Sequence, residues 1–272
     1  MPRPLELSAR AVALKPSLTL AIGAQAKALQ RAGRDICSLS AGEPDFDTPD
    51  FIVEATRQAL RDGITRYGPA AGDPELRAAV AEKLSSGNGI AISPEQVLIT
   101  NGGKQAIYNL FQVLLNPGDE VLLPAPYWLS YPEMAALAGA KVKLIPTQAG
   151  EGFRLDLTAV EAAISPRSRL LVLNSPGNPT GRVMERQELE AVAELVRRHP
   201  QLLVMSDEIY EFLLAEGEQH HSFAAIAPDL ADRCFTVNGI AKGWATTGWR
   251  LGYLAGHQDV IKAAAALQSQ ST

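Results

Sequence analysis

The sequence predicts an α/β fold with a mostly parallel sheet. Three observations lead there. From about residue 96 onward, short apolar runs alternate with amphipathic helical stretches. Gly, Pro, Asn and Asp punctuate the boundaries between them. The conspicuous polar residues fall just after the apolar runs, at the strand ends where open parallel sheets bind ligands.

The elements follow in order. The first forty-odd residues read as an arm and a short helix, "TLAIGAQAKALQRAG". "SLSAGEPDFDTP", residues 38–49, is a turn-rich loop. "DFIVEATRQALRDG" reads as a helix N-capped by Thr48 or Asp50. After the loop "GITRYGPAAGD", Asp73 as N-cap and Pro74 at the first helical position start "DPELRAAVAEKL". "QVLIT" is a strand, and "NGG" turns it into the helix "KQAIYNLFQVLL", with Ile107, Leu110, Phe111 and Leu114 on one face. "NPGD" stops that helix. "EVLLP" and "KVKLIP" are strands flanking the helical "SYPEMAALAG". "RLLVLN" and "QLLVMS" are strands separated by the charged amphipathic helix "ERQELEAVAELVRRH". "RCFTVNG" and "LGYLAG" are the last strands, and "DVIKAAAALQSQST" starts a helix that stops without a C-cap signal.

Composition narrows the function. The chain has 272 residues, 46% of them hydrophobic, and a net charge of −5, an ordinary globular balance. Nucleic-acid binding is not expected, because no basic stripe is present. No signal peptide and no apolar run of membrane-spanning length is found. Cys37 and Cys234 form no CxxC or metal-like spacing, so no metal is expected and a reduced, cytoplasmic compartment is the default.

Each polar group has a functional and an ordinary reading. Gly102-Gly103-Lys104 before a helix offers free N–H groups and a positive dipole end to a phosphate, or is a tight turn. Asp207 in "SDEIY" is a turn aspartate, or a carboxylate paired with a cationic ring nitrogen. "NSPGNPTG" is a rigid loop, or presents Asn174 and Asn178 to a ligand. Trp128 packs in the interior, or stacks on a planar ring. Lys242 sits among Gly239, Ile240, Ala241 and Gly243, where poor solvation would lower its pKa and favour the nucleophilic amine of Schiff-base chemistry. Arg250 makes a surface ion pair, or forks onto a phosphate.

Taken together, the ordered series "AGEPDFDTP", "YGPAAGDPELR", "TNGGKQAIYNLFQVLLNPGDEV", "PAPYWLSYPEM", "NSPGNPTG", "SDEIYE" and "VNGIAKGWATTGWRLGY" resembles the pyridoxal-phosphate-dependent aminotransferases of classes I and II, fold type I. The likeness runs from about Leu14 to Thr272 and is nearest the bacterial aspartate and aspartate/prephenate branch. It implies a three-layer αβα large domain with a mixed, mostly parallel sheet over residues 49–272, an N-terminal arm and small-domain segment over 1–48, and a C-terminal small domain that this chain lacks.

The resemblance implies pyridoxal phosphate as cofactor, amino acid and 2-oxo acid substrates, and a homodimer with shared sites. Lys242 would carry the Schiff base and move protons. Asp207 would pair with the ring nitrogen, while Tyr210 and Asn178 bond the ring's phenolate oxygen and Trp128 stacks on it. Gly103, Lys104 and Arg250 would hold the phosphate, and Tyr67 that of the neighbouring subunit. Gly42, Trp128 and Asn178 would bind the substrate carboxylate, and Lys15 a dicarboxylate or prephenate.

Two departures stand out. Gly239-Ile240-Ala241 replaces the Ser-x-Ser that many relatives place before the lysine, as this branch often does. The arginine that clamps the substrate α-carboxylate belongs to the small domain and is missing. Rival readings are therefore a β-lyase, which shares the cofactor residues, and a non-catalytic cofactor-binding remnant or half of a split gene. Product analysis would separate the first, and the genomic sequence beyond Thr272 the second.

Overall fold

The computed structural model describes residues 5–14, 18–39 and 42–272. Helices α1 (Ala9–Ala13) and α2 (Leu18–Arg31) precede the turn-rich loop, and α3 (Asp50–Arg61) and α4 (Pro74–Asn88) follow it. Then come β1 (Val97–Thr100), α5 (Gly103–Leu114), β2 (Glu120–Ala125), α6 (Ser130–Leu137), β3 (Lys141–Pro146), α7 (Leu157–Ala163) and β4 (Ser168–Asn174). The chain continues through α8 (Arg186–Arg198), β5 (Leu203–Asp207), α9 (Phe223–Ile226), β6 (Cys234–Gly239), β7 (Gly252–Ala255) and α10 (Gln258–Gln268).

The strands form one seven-stranded sheet in the order β1-β7-β6-β5-β4-β2-β3. Pairs β2–β3, β2–β4, β4–β5 and β5–β6 are parallel. β7 runs antiparallel to both its neighbours, β1 and β6. The predicted mixed, mostly parallel sheet is therefore present, with β7 as its reversed member.

Alternation along the strands divides the core in two. Leu170 and Val172 join Phe111, Tyr131 and Phe235 on one face, beneath α5, α6 and α10. Leu171 and Leu173 join Leu84, Val192 and Phe223 on the other, against α4, α8 and α9. These side chains are nearly or completely buried, each worth about 2 kcal/mol in area removed from water. The result is the expected three-layer αβα sandwich.

Three local details refine the sequence reading. Asp73 caps α4 as expected, accepting the N–H groups of Glu75 and Leu76. Neither Thr48 nor Asp50 caps α3: Pro49 holds the cap position without a side-chain bond, and Asp50 is already helical. Thr48 Oγ1 instead donates to the Ala245 carbonyl at 2.7 Å, so a long-range bond has displaced the local one. Helix α7, for which the sequence reading assigns no element, starts at Asp156, whose carboxylate accepts from Thr158 and Ala159.

The end of the chain is tied in. Gln268 is buried, accepts from Asn109 Nδ2 at 2.9 Å, and donates to the carbonyls of Ala70 and Ile99. Among the described residues, no helix is long and apolar enough to cross a membrane.

Candidate active site

The carboxyl ends of β4, β5 and β6, the start of α5 and the loop before α6 open on one cavity of about 850 Å³. It is lined by Gly42, Gly103, Lys104, Trp128, Asn178, Asp207, Tyr210, Lys242 and Arg250. Nine of the eleven predicted site residues thus converge. Tyr67 does not line it and is completely exposed in the loop before α4. Lys15 lies outside the described residues. A smaller cavity of about 70 Å³ behind the 174–181 loop contains neither the lysines nor Asp207 and Arg250.

One end of the cavity is cationic. β1 turns into α5 through Gly102, at φ 82° and ψ 164°, a conformation essentially reserved for glycine. The Gly102 carbonyl accepts the N–H groups of Gln105 and Ala106, whereas Gly103 and Lys104 open the helix with no intrahelical acceptor. Arg250, left-handed at φ 60°, donates to the carbonyls of Thr247 and Asn101 and lies over this turn. Glycines make the approach possible. A Cβ on Gly252 would come within 2.5 Å of the Gly102 carbonyl carbon, and one on Gly239 within 2.7 Å of the Leu251 oxygen.

Lys104 and Lys242 share that end. Burial lowers the pKa of Lys104, and the Arg250 charge lowers it further. Its Nζ stands 5.0 Å from the Trp128 ring centroid, a cation–π contact beyond its expected backbone role. Burial also lowers the pKa of Lys242; the Glu43 carboxylate opposes this and Arg250 adds to it. Lys242 Nζ donates to the Gly42 carbonyl at 2.5 Å and lies 5.7 Å from the centre of the Tyr210 ring.

The other end is a buried carboxylate. Asp207 is 4% exposed, and burial raises its pKa to about 6. Its Oδ1 accepts the Ile209 N–H at 3.3 Å and its Oδ2 the Tyr131 hydroxyl at 2.6 Å. Asn174 props the neighbourhood: Nδ2 donates to the Asp207 carbonyl at 3.0 Å, and Oδ1 accepts the Asn178 N–H at 2.7 Å. Asn178 Nδ2 then donates to the Tyr210 hydroxyl at 3.2 Å. The sequence reading missed Tyr131. Nothing in "SYPEM" marks it, because its partner lies far along the chain, at the end of β5.

Such a cavity suits a planar molecule with an anionic group at one end and a cationic nitrogen at the other. The chain belongs to the aminotransferases of class I and II, whose family pattern matches residues 34–272. It is 53% identical to the aspartate/prephenate aminotransferase of Thermus thermophilus, covering 98% of this chain and 68% of that one. It is 52% identical to the bifunctional aspartate and glutamate/aspartate-prephenate aminotransferase of Petunia hybrida, covering 98% of this chain and 56% of that one. The fold matches the Thermus thermophilus aspartate aminotransferase solved with maleate at a TM-score of 0.94 and 51% identity, over 98% of this chain and 69% of the other. The aspartate aminotransferase of Rhizobium meliloti matches at 0.95 and 39%, over 99% and 67%. The chain thus spans roughly half to two thirds of the length of these relatives.

Family membership implies pyridoxal phosphate, and the residues present fit it. The glycine-walled turn beneath Arg250, with two unpartnered helix N–H groups, suits a phosphate. The desolvated Asp207 carboxylate suits a protonated ring nitrogen. Among the described residues, no cluster of His, Cys, Asp or Glu could hold a metal ion.

Proposed function

We propose that this chain is the cofactor-binding part of an aminotransferase that moves the amino group of aspartate or glutamate to a 2-oxo acid, with prephenate as a further acceptor. One observation carries the reading: a single cavity lined by Lys104, Lys242 and Arg250 together with buried Asp207. The relatives' activities support the substrate class.

Gly103 and Lys104 N–H groups and the Arg250 guanidinium would hold the phosphate. Trp128 would stack on the ring, Asp207 would pair with the ring nitrogen and keep it protonated, and Asn178 and Tyr210 would hydrogen-bond the ring's oxygen. Bound there, pyridoxal phosphate would supply an electrophilic carbon and a cationic ring able to act as an electron sink. Lys242 is the amine that anchors the group. Burial lowers its pKa, which shifts it toward the neutral amine needed to lift the proton from the substrate's Cα. Exclusion of water from the cavity strengthens the electrostatic contacts among these groups.

Gly42, Trp128 and Asn178 would orient the substrate carboxylate, and Lys15 the distal carboxylate of a dicarboxylate or prephenate. The dimer reading has support in the exposure of Tyr67, which is free to reach a second copy's phosphate. Residues 1–48 then form the arm and small-domain segment, and 49–272 the large domain.

The test is a visible absorption spectrum of the 272-residue chain with pyridoxal phosphate, repeated after adding aspartate. The expected result is a protein-bound band that Lys242→Ala abolishes and aspartate bleaches. A band that aspartate leaves unchanged would overturn transamination by this chain, and no band would overturn the cofactor site.

A further inference from the structure

Tyr131 stands between the two groups expected to touch the cofactor ring. Its hydroxyl donates to Asp207 Oδ2 at 2.6 Å. Its ring meets that of Trp128 edge to face, with centroids 5.3 Å apart at 86°. The side chain is 2% exposed, which shields the bond from bulk solvent. It comes from α6, whereas Asp207 ends β5, so the contact joins elements that meet only through the tertiary fold.

Charges around Asp207 make this bond consequential. Glu208, the next residue, is 1% exposed; its negative charge raises the proton affinity of Asp207. Glu208 is held by Ser206, Ser222 and His220. Tyr210 is adjacent, and Lys104, Lys242 and Arg250 line the same cavity. The described side-chain donor to the Asp207 carboxylate is Tyr131, which opposes burial and Glu208.

We infer that Tyr131 is a positioning residue that keeps the shared proton on the cofactor's ring nitrogen by weakening the proton affinity of Asp207, while holding Trp128 upright beside it. The inference rests on the cofactor reading above, but its first effect is on Asp207 alone. A carboxylate that already accepts a short hydrogen bond is a poorer base. Without the hydroxyl, the proton between ring nitrogen and carboxylate moves toward Asp207, and the ring loses the charge that makes it an electron sink. No bond other than N–H and O–H changes, and no co-reactant is required.

Tyr131→Phe removes the hydroxyl and keeps the ring. Carboxyl-carbon NMR of the cofactor-free protein, with Asp207 assigned from Asp207→Asn, should show its titration midpoint rise by roughly one pH unit, a tenfold gain in proton affinity. A stronger donor, 3-fluorotyrosine placed at position 131, should move it the opposite way. In the loaded protein, the ring-nitrogen NMR shift of labelled pyridoxal phosphate should move toward the unprotonated value in Tyr131→Phe. Unchanged midpoints in both folded variants would overturn the inference, as would a ring-nitrogen shift indifferent to the substitution. If wild type takes up no cofactor, the functional reading fails while the carboxyl titration still decides the role of Tyr131.

Discussion

Gly102 and Arg250 approach so closely that a Cβ on the glycine would lie 2.5 Å from the arginine Nη2 and 3.0 Å from Cζ. The turn and the guanidinium are therefore one unit, and neither can be altered alone. Gly102→Ala should displace Arg250 and force a backbone angle that side chains avoid, costing about 1–3 kcal/mol. Affinity for pyridoxal phosphate should fall at least about tenfold, one lost charge-assisted contact. Gly248→Ala, with nothing within 4 Å of its Cβ, is the control and should change neither. Urea unfolding and cofactor titration of both variants check this.

Asp207 should destabilise the cofactor-free fold at neutral pH. Burial lifts its pKa to about 6, above the unfolded value near 4, so the native state binds the proton more tightly. Stability then falls as pH rises from about 4 to about 6, by up to about 3 kcal/mol. Asp207→Asn should be more stable than wild type at pH 8 and lose that advantage below about pH 4. Urea midpoints across this range measure it, and absorption spectra should show cofactor chemistry lost in the same variant.

Glu120 works in the opposite sense. Burial alone would raise its pKa, but hydrogen bonds from Ser165, Lys143 and Ser168 and the Lys143 charge outweigh that and hold it at about 2. Its contribution is complete above about pH 4.5 and disappears as pH falls toward 2. Lys143 and Arg167 are partly open to solvent, which limits the gain to about 1–2 kcal/mol. Glu120→Gln should remove it, leaving a flatter acid limb in thermal melts between pH 5 and 3.

Lys83 reaches from α4 to pair with buried Glu211, just beyond Asp207 and Tyr210. Asn88 Nδ2 donates to the same carboxylate at 2.7 Å. Lys83→Met leaves that carboxylate short of a donor and should cost about 1–3 kcal/mol. Glu211→Gln in the same chain should restore part of the loss, because the residual group is neutral. A double-mutant cycle by urea unfolding gives the coupling.

The strands were legible because each is a compact apolar run between turn formers, and the cofactor end because its groups follow those runs directly. Asp73 and Pro74 declared α4 through a bond spanning only a few residues. What escaped depends on distant partners. Thr48 looks like a cap until Ala245 supplies a better acceptor. Tyr131 looks like packing until the sheet brings Asp207 beneath it. Local signals encode local bonds, whereas residues that tune a site are placed by the tertiary fold.

The reversed strand β7 also sets a timetable. β1 finds its sheet partner only there, with Val97 opposite Ala255. During synthesis from the ribosome, β2 through β6 can pair and pack while β1 still lacks its neighbour. The Gly102 turn meets Arg250 only when this last strand arrives. The parallel wall bearing Asp207 can therefore be built early, but the phosphate end closes as a late, long-range event, the slowest kind of contact for a chain to find.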